Sequence, residues 1–178
     1  MITAHSKALS VQTLIILILL LTALSSTAQD STSYRVDLSE RDVQQVTIEA
    51  RFRGVIGETL EFHLPVWRSG QYLIIDPVGT MSGIEVTDSA GSALTFRQTA
   101  KSSWQVQREG AALDDVIVRY RIYADSLGDR TRHVDSEHAF LNPAAVFIYA
   151  DGFRGQSIDV NIELPQGWQA ASGMEQPE

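Results

Sequence analysis

The chain contains no cysteine. Disulfides, thiolate nucleophiles and cysteine-based zinc sites are therefore excluded, and a domain of this size has to rely on its apolar core. Basic residues are also scarce: Lys and Arg number 14 against 22 Asp and Glu, for a net charge of −8. Affinity for phosphate needs clustered cations, so nucleic acid is not expected as a partner, nor is an anionic membrane surface. Two catalytic signatures are missing from the sequence. There is no H-E-x-x-H, which would set two imidazoles and a carboxylate on one helix face for a zinc hydrolase, and no G-x-S-x-G nucleophile turn. Beyond residue 28 there is no amphipathic pattern of three helical turns, no internal repeat and no low-complexity tract.

Long apolar runs are absent except at the amino terminus. Leu14–Leu24 reads L-I-I-L-I-L-L-L-T-A-L behind Lys7 and is followed by Ser26, Thr27 and Ala28. A spanning helix needs roughly 20 apolar residues, whereas a secretory signal needs a shorter run and a small-residue cleavage site. Residues 1–28 are therefore expected to be a signal peptide cut between Ala28 and Gln29, with an uncleaved anchor as the alternative. The chain is expected to be exported, periplasmic or extracellular, touching the membrane only through the signal during export. What remains is about 150 residues, one domain in size.

The dominant period in that remainder is two, the signal of a half-buried strand. Val46, Ile48, Ala50 and Phe52 alternate with Thr47, Glu49, Arg51 and Arg53. Leu60, Phe62 and Leu64 alternate with Glu61 and His63, and Val116, Val118, Tyr120 and Ile122 with Arg119 and Arg121. Ile158, Val160, Ile162 and Leu164 alternate with Asp159, Asn161 and Glu163. Asp88–Ser92 has the composition of a hairpin connection between Ile84–Thr87 and Ala93–Gln98. Short alternating strands with frequent turns predict an all-β fold, an antiparallel β-sandwich over residues 29–169, with residues 170–178 as a linker or tail. Arg68–Met81 and Ala124–Asn142 do not fit the simple strand reading; loops of such length are often functional.

Candidate sites each carry a bland alternative. His133 and His138 flank Asp135 and Glu137 in H-V-D-S-E-H. A separation of five without a helical pattern is a poor match to known zinc spacings, so these are read as solvated loop residues and no metal or other cofactor is expected. Asp135 and Glu137, at i and i+2, would share a face in a strand, but nothing in the sequence desolvates either of them for acid–base work. His63 reads as a surface residue of its strand. Trp67, Tyr72, Trp104 and Trp168 could form a binding platform, although large aromatics more often pack in a core or an interface. Trp67 and Tyr72, beside a glycine turn, are the aromatic binding candidates. Gly173-Met174-Glu175-Gln176 is similar to an exopeptidase motif but lacks its spacing and its Asn, and is read as coincidence.

Several segments in order resemble the amino-terminal domain of the glycyl-aminopeptidases, PDZ-bearing zinc metallopeptidases of peptidase family sixty-one. They are Leu64-Pro65-Val66-Trp67 followed by Gly70-Gln71-Tyr72, Thr87-Asp88 through Gly91 to Leu94, and Trp104-Gln105-Val106. Val118-Arg119-Tyr120-Arg121-Ile122-Tyr123-Ala124, Asp135 through Phe140 and Asn142, and Leu164-Pro165-Gln166-Gly167-Trp168 complete the set. The sequence departs from the family pattern at Ser69, at Ile75–Gly79 and at Pro143. The resemblance implies a non-catalytic β-sandwich of an exported aminopeptidase-like metalloprotease, packed on or lining the cleft of a catalytic partner that would hold the zinc. No catalysis of its own is expected from the chain, which reads as cut off before a zinc domain. On position in the family-like motif, Asp135, Glu137 and Asn142 are the cleft candidates, and a peptide substrate or the catalytic domain is the expected partner. The alternative is a freestanding exported module that binds a peptide or a glycan. A self-sufficient hydrolase is a third and weaker reading.

Overall fold

A computed structural model describes residues 31–67, 70, 74, 78–128 and 131–175. The predicted signal peptide and Tyr72 lie outside the described residues. The described chain is almost entirely strand: β1 (Ser31–Asp37), β2 (Gln45–Arg53), β3 (Thr59–His63), β4 (Met81–Asp88), β5 (Thr95–Ala100), β6 (Ser103–Gln107) and β7 (Val116–Tyr123). Then come β8 (Asp125–Ser126), β9 (Arg132–Val134), β10 (Ala139–Leu141), a single helical turn α1 (Pro143–Val146), β11 (Tyr149–Ala150) and β12 (Ser157–Glu163). No described helix is long and apolar enough to cross a membrane.

Two sheets make the sandwich. One runs β12-β1-β2-β7-β4 and the other β11-β3-β6-β5. The alternation read from β2 and β7 is what fills the space between them: Val46, Ile48, Ala50 and Phe52 from β2, and Val116, Val118, Tyr120 and Ile122 from β7, are all fully buried. Leu60, Phe62 and Leu64 with Trp104 and Val106 answer from the other sheet. Trp104 stacks on Phe62 with centroids 5.5 Å apart, so it belongs to the core rather than to a surface platform. Each buried Val, Leu, Ile or Phe among them contributes about 1.5–3 kcal/mol through removal from water.

Three features differ from the sequence expectation. Asp88–Ser92 does turn the chain, with Asp88 Oδ1 accepting from the Ala90 and Ser92 N–H groups at 3.0 and 2.9 Å, but beyond a single bridge from Thr87 to Ala93 the flanking strands separate into different sheets. The turn is a corner between layers. Ala124–Asn142 is not a plain loop: it contains a small third sheet, β10-β9-β8, anchored by the buried side chains of Arg132 and Val134. Finally, β12 pairs parallel with β1, from Ser31 opposite Ser157 to Asp37 opposite Glu163, within an otherwise antiparallel sheet. Its apolar face is only partly covered at this sheet edge: Val160 packs against the core, but Ile158 stays 49% exposed and Ile162 36%.

Candidate functional site

The segment between β9 and α1 gathers the chemistry-bearing residues that the sequence singled out. His133 lies in β9, where alternation buries its neighbours Arg132 and Val134 and turns its own ring toward the hairpin. Asp135 then folds the chain back. Its Oδ1 accepts from the N–H groups of Glu137 and His138, both at 2.8 Å, and its own N–H donates to the His138 carbonyl at 3.0 Å. An Asp side chain that captures backbone donors two and three residues ahead imposes a tight turn. The consequence is that His138, five residues on, returns to His133: the rings lie 5.0 Å apart and are tilted by 34°.

Asp135 sits between them. Its Oδ2 is 3.0 Å from His133 Nε2, and its Oδ1 is 3.3 Å from His138 Nδ1. The hydrogen bond to His133, reinforced by the His138 and Glu137 N–H groups, holds the carboxyl well below the usual carboxylate range. It is therefore an anion at any physiological pH. His133 is largely buried, His138 half-exposed. Glu137 lends the site its backbone and not its carboxylate, so the pairing of Asp135 with Glu137 on one strand face does not form: these residues are in a turn.

Asn142 has a structural task. Its side chain accepts from the Ala144 N–H at 3.0 Å and caps α1, with Pro143 at the first helical position, where a missing N–H costs nothing. The cap directs residues 146–148 into the core, where two tyrosines hold them. Tyr120 donates to the Val146 carbonyl at 2.8 Å and accepts from the Ile148 N–H at 3.1 Å, while Tyr34 donates to the Ile148 carbonyl at 2.6 Å. Burial pushes the Tyr34 hydroxyl up to about 12 and the Tyr120 hydroxyl well above its ordinary value. The sequence did not reveal this clamp: Tyr120 read as an ordinary member of its alternating strand, and nothing in the pattern singled out Tyr34.

The other candidates are scattered. Trp67 is 53% exposed, and Trp168 is partly buried with the Arg41 guanidinium 5.9 Å from its ring centre. His63 is less exposed than a surface residue: it lies 2.8 Å from Ser103 Oγ and packs on Tyr149 at 5.0 Å. A groove of about 640 Å³ runs along the β12 edge, lined by the apolar Ile158, Ile162, Leu164 and Met174 and by charged residues such as Arg51 and Asp159. Its apolar rim is the uncovered face of β12 continued by the tail.

Residues 33–178 match the model of the Peptidase M61 N-terminal domain. Among solved structures, the aminopeptidase N family protein from Idiomarina loihiensis is similar at 22% identity with a TM-score of 0.68, over 80% of this chain and 25% of that one. An M1 zinc metallopeptidase from Deinococcus radiodurans aligns at 9% identity with a TM-score of 0.35, over 62% of this chain and 25% of that one. The chain thus spans about a quarter of the length of each of these proteins. No relative among the curated proteins matches it.

Proposed function

Since the chain belongs to the family of Peptidase M61 N-terminal domains, we propose that it acts as the non-catalytic β-sandwich of an exported aminopeptidase-like metalloprotease and docks on a zinc catalytic domain. The family match carries this reading. The uncovered apolar face of β12 supports the docking part: Ile158, Ile162, Leu164 and Met174 line one groove at a sheet edge, and apolar side chains grouped on a surface mark interfaces. The apolar run Leu14–Leu24 with its small-residue site supports export. A peptide substrate would then meet this domain only where it borders the partner's cleft, with Asp135 and Asn142 contributing the shape of the loop.

Sedimentation velocity of the chain mixed with an M61 catalytic domain produced without its own amino-terminal domain tests the docking. A one-to-one complex that is lost with Ile158→Glu or Ile162→Glu is expected. Failure to associate, together with saturable and Trp67-dependent binding of a peptide or glycan, would instead favour a freestanding module; the half-exposed Trp67 ring is the observation behind that rival. Export is tested separately: amino-terminal sequencing of the protein recovered outside the cytoplasm should begin at Gln29, and an intact Met1 there would refute the cleavage.

A further inference from the structure

We propose that His133, Asp135 and His138 form a binding site for a divalent transition cation of the zinc class, stapling the β9–β10 hairpin. One donor atom from each of the three residues lies within 4.8 Å of the others. Two imidazoles and one carboxylate form a mixed nitrogen–oxygen set of the kind that suits zinc, cobalt or nickel over calcium or magnesium. Ligands about 2.0–2.1 Å from a tetrahedral ion are roughly 3.3–3.4 Å apart. The contact from His133 Nε2 to Asp135 Oδ2, 3.0 Å, is already near that separation, and His138 Nδ1 lies 3.3 Å from the other oxygen of the same carboxylate, Oδ1.

The site is also prebuilt. Asp135 Oδ1 is fixed by two backbone N–H groups, which leaves Oδ2 to turn toward an ion. Among the described residues, His133 makes its hydrogen bond only to Asp135, and its Nδ1 is buried with no partner. Shifting the two rings from the carboxylate onto a shared ion therefore breaks no other hydrogen bond. His138 is half-exposed and can rotate the remaining distance, and its open side leaves room for water as a fourth ligand. Glu137, exposed and outside the donor group, is a control within the same turn.

The experiment is isothermal titration of ZnCl2, and separately NiCl2, into the full tag-free chain after removal of metal by a chelator. One saturable site with a dissociation constant below about 100 µM is expected for three prearranged ligands. His138→Ala should weaken it at least tenfold, and Asp135→Asn likewise, while Glu137→Ala and His63→Ala leave it unchanged. His138→Ala removes a half-exposed ring, so a loss of affinity with an unchanged circular dichroism spectrum reports the site and not the fold. Absence of a saturable isotherm, or equal affinity in the His138→Ala chain, would overturn the proposal and leave the three residues as a hydrogen-bonded turn. The outcome is independent of whether a catalytic domain docks on β12.

Discussion

Tyr120→Phe removes one oxygen atom from the centre of the sandwich and should be far more costly than its size suggests. The Tyr120 side chain is fully buried, and its hydroxyl serves two backbone groups at once, donating to the Val146 carbonyl at 2.8 Å and accepting from the Ile148 N–H at 3.1 Å. Phe retains the ring and its packing but leaves both groups in the core without that partner. An unsatisfied buried polar group costs about 1–3 kcal/mol, so two of them amount to roughly 3 kcal/mol once some relaxation is allowed. For a domain of about 150 residues that corresponds to a melting temperature lower by roughly 6–12 °C. Tyr34→Phe, which loses a single bond to the Ile148 carbonyl, should cost about half as much. Because both hydroxyls hold Ile148, the double variant should depart from additivity by about 0.5–2 kcal/mol. Urea denaturation followed by tryptophan fluorescence, with Trp104 in the core as reporter, measures all three. A Tyr120→Phe loss below about 0.5 kcal/mol would refute the reasoning, since that is the range of a surface substitution.

The same tyrosines set the alkaline limit. Their hydroxyls are harder to ionise folded than unfolded, so their contribution is complete below pH 10 and is lost as pH rises through about 12, the value for Tyr34. That loss is roughly 3 kcal/mol for Tyr34 in full, of which about half has occurred by pH 11, and this fall of roughly 1.4 kcal/mol between pH 8 and pH 11 should flatten in Tyr34→Phe. Asn142→Ala removes the cap of α1 and should lower stability by about 1 kcal/mol, whereas Asn142→Asp should retain it; thermal melts of the two distinguish capping from a mere change of side chain. Gly83 has φ +61 at the register shift of β4, and a Cβ there would meet the Arg121 guanidinium at 3.1 Å. Gly83→Ala should destabilise by about 1–2 kcal/mol in the same assay, and no loss would mean that the irregularity relaxes freely.

Much of the sandwich was legible because β2, β3 and β7 each bury one face and wet the other, and a period of two records that directly. Periodicity does not record which strand lies beside which. Ile158, Val160 and Ile162 alternate as cleanly as Val46, Ile48 and Ala50, yet β12 is an edge and its apolar face is partly bare. The β8–β10 sheet escaped detection because its strands are two or three residues long, too short to show a period. The clustering of His133 with His138 depended on one conformational event, the turn in which Asp135 captures two N–H groups. An Asp directly after a strand, followed by Ser and Glu, was the available signal for it.

The parallel pairing of β12 with β1 has a consequence for how the molecule is made. Ser31 pairs with Arg53 on one side, a partner close in sequence, and with Ser157 on the other. A chain delivered from its amino terminus, as in synthesis, presents β1 early with one long edge unsealed, and the strand that seals it follows only after β11. Until then the row of amide groups along β1 is open to any extended peptide nearby. Contacts so distant in sequence also slow folding, since a long loop must close before they form. The domain therefore passes through a vulnerable interval that ends only with its final strand, and a chain stopped short of Ser157 would keep that edge open permanently.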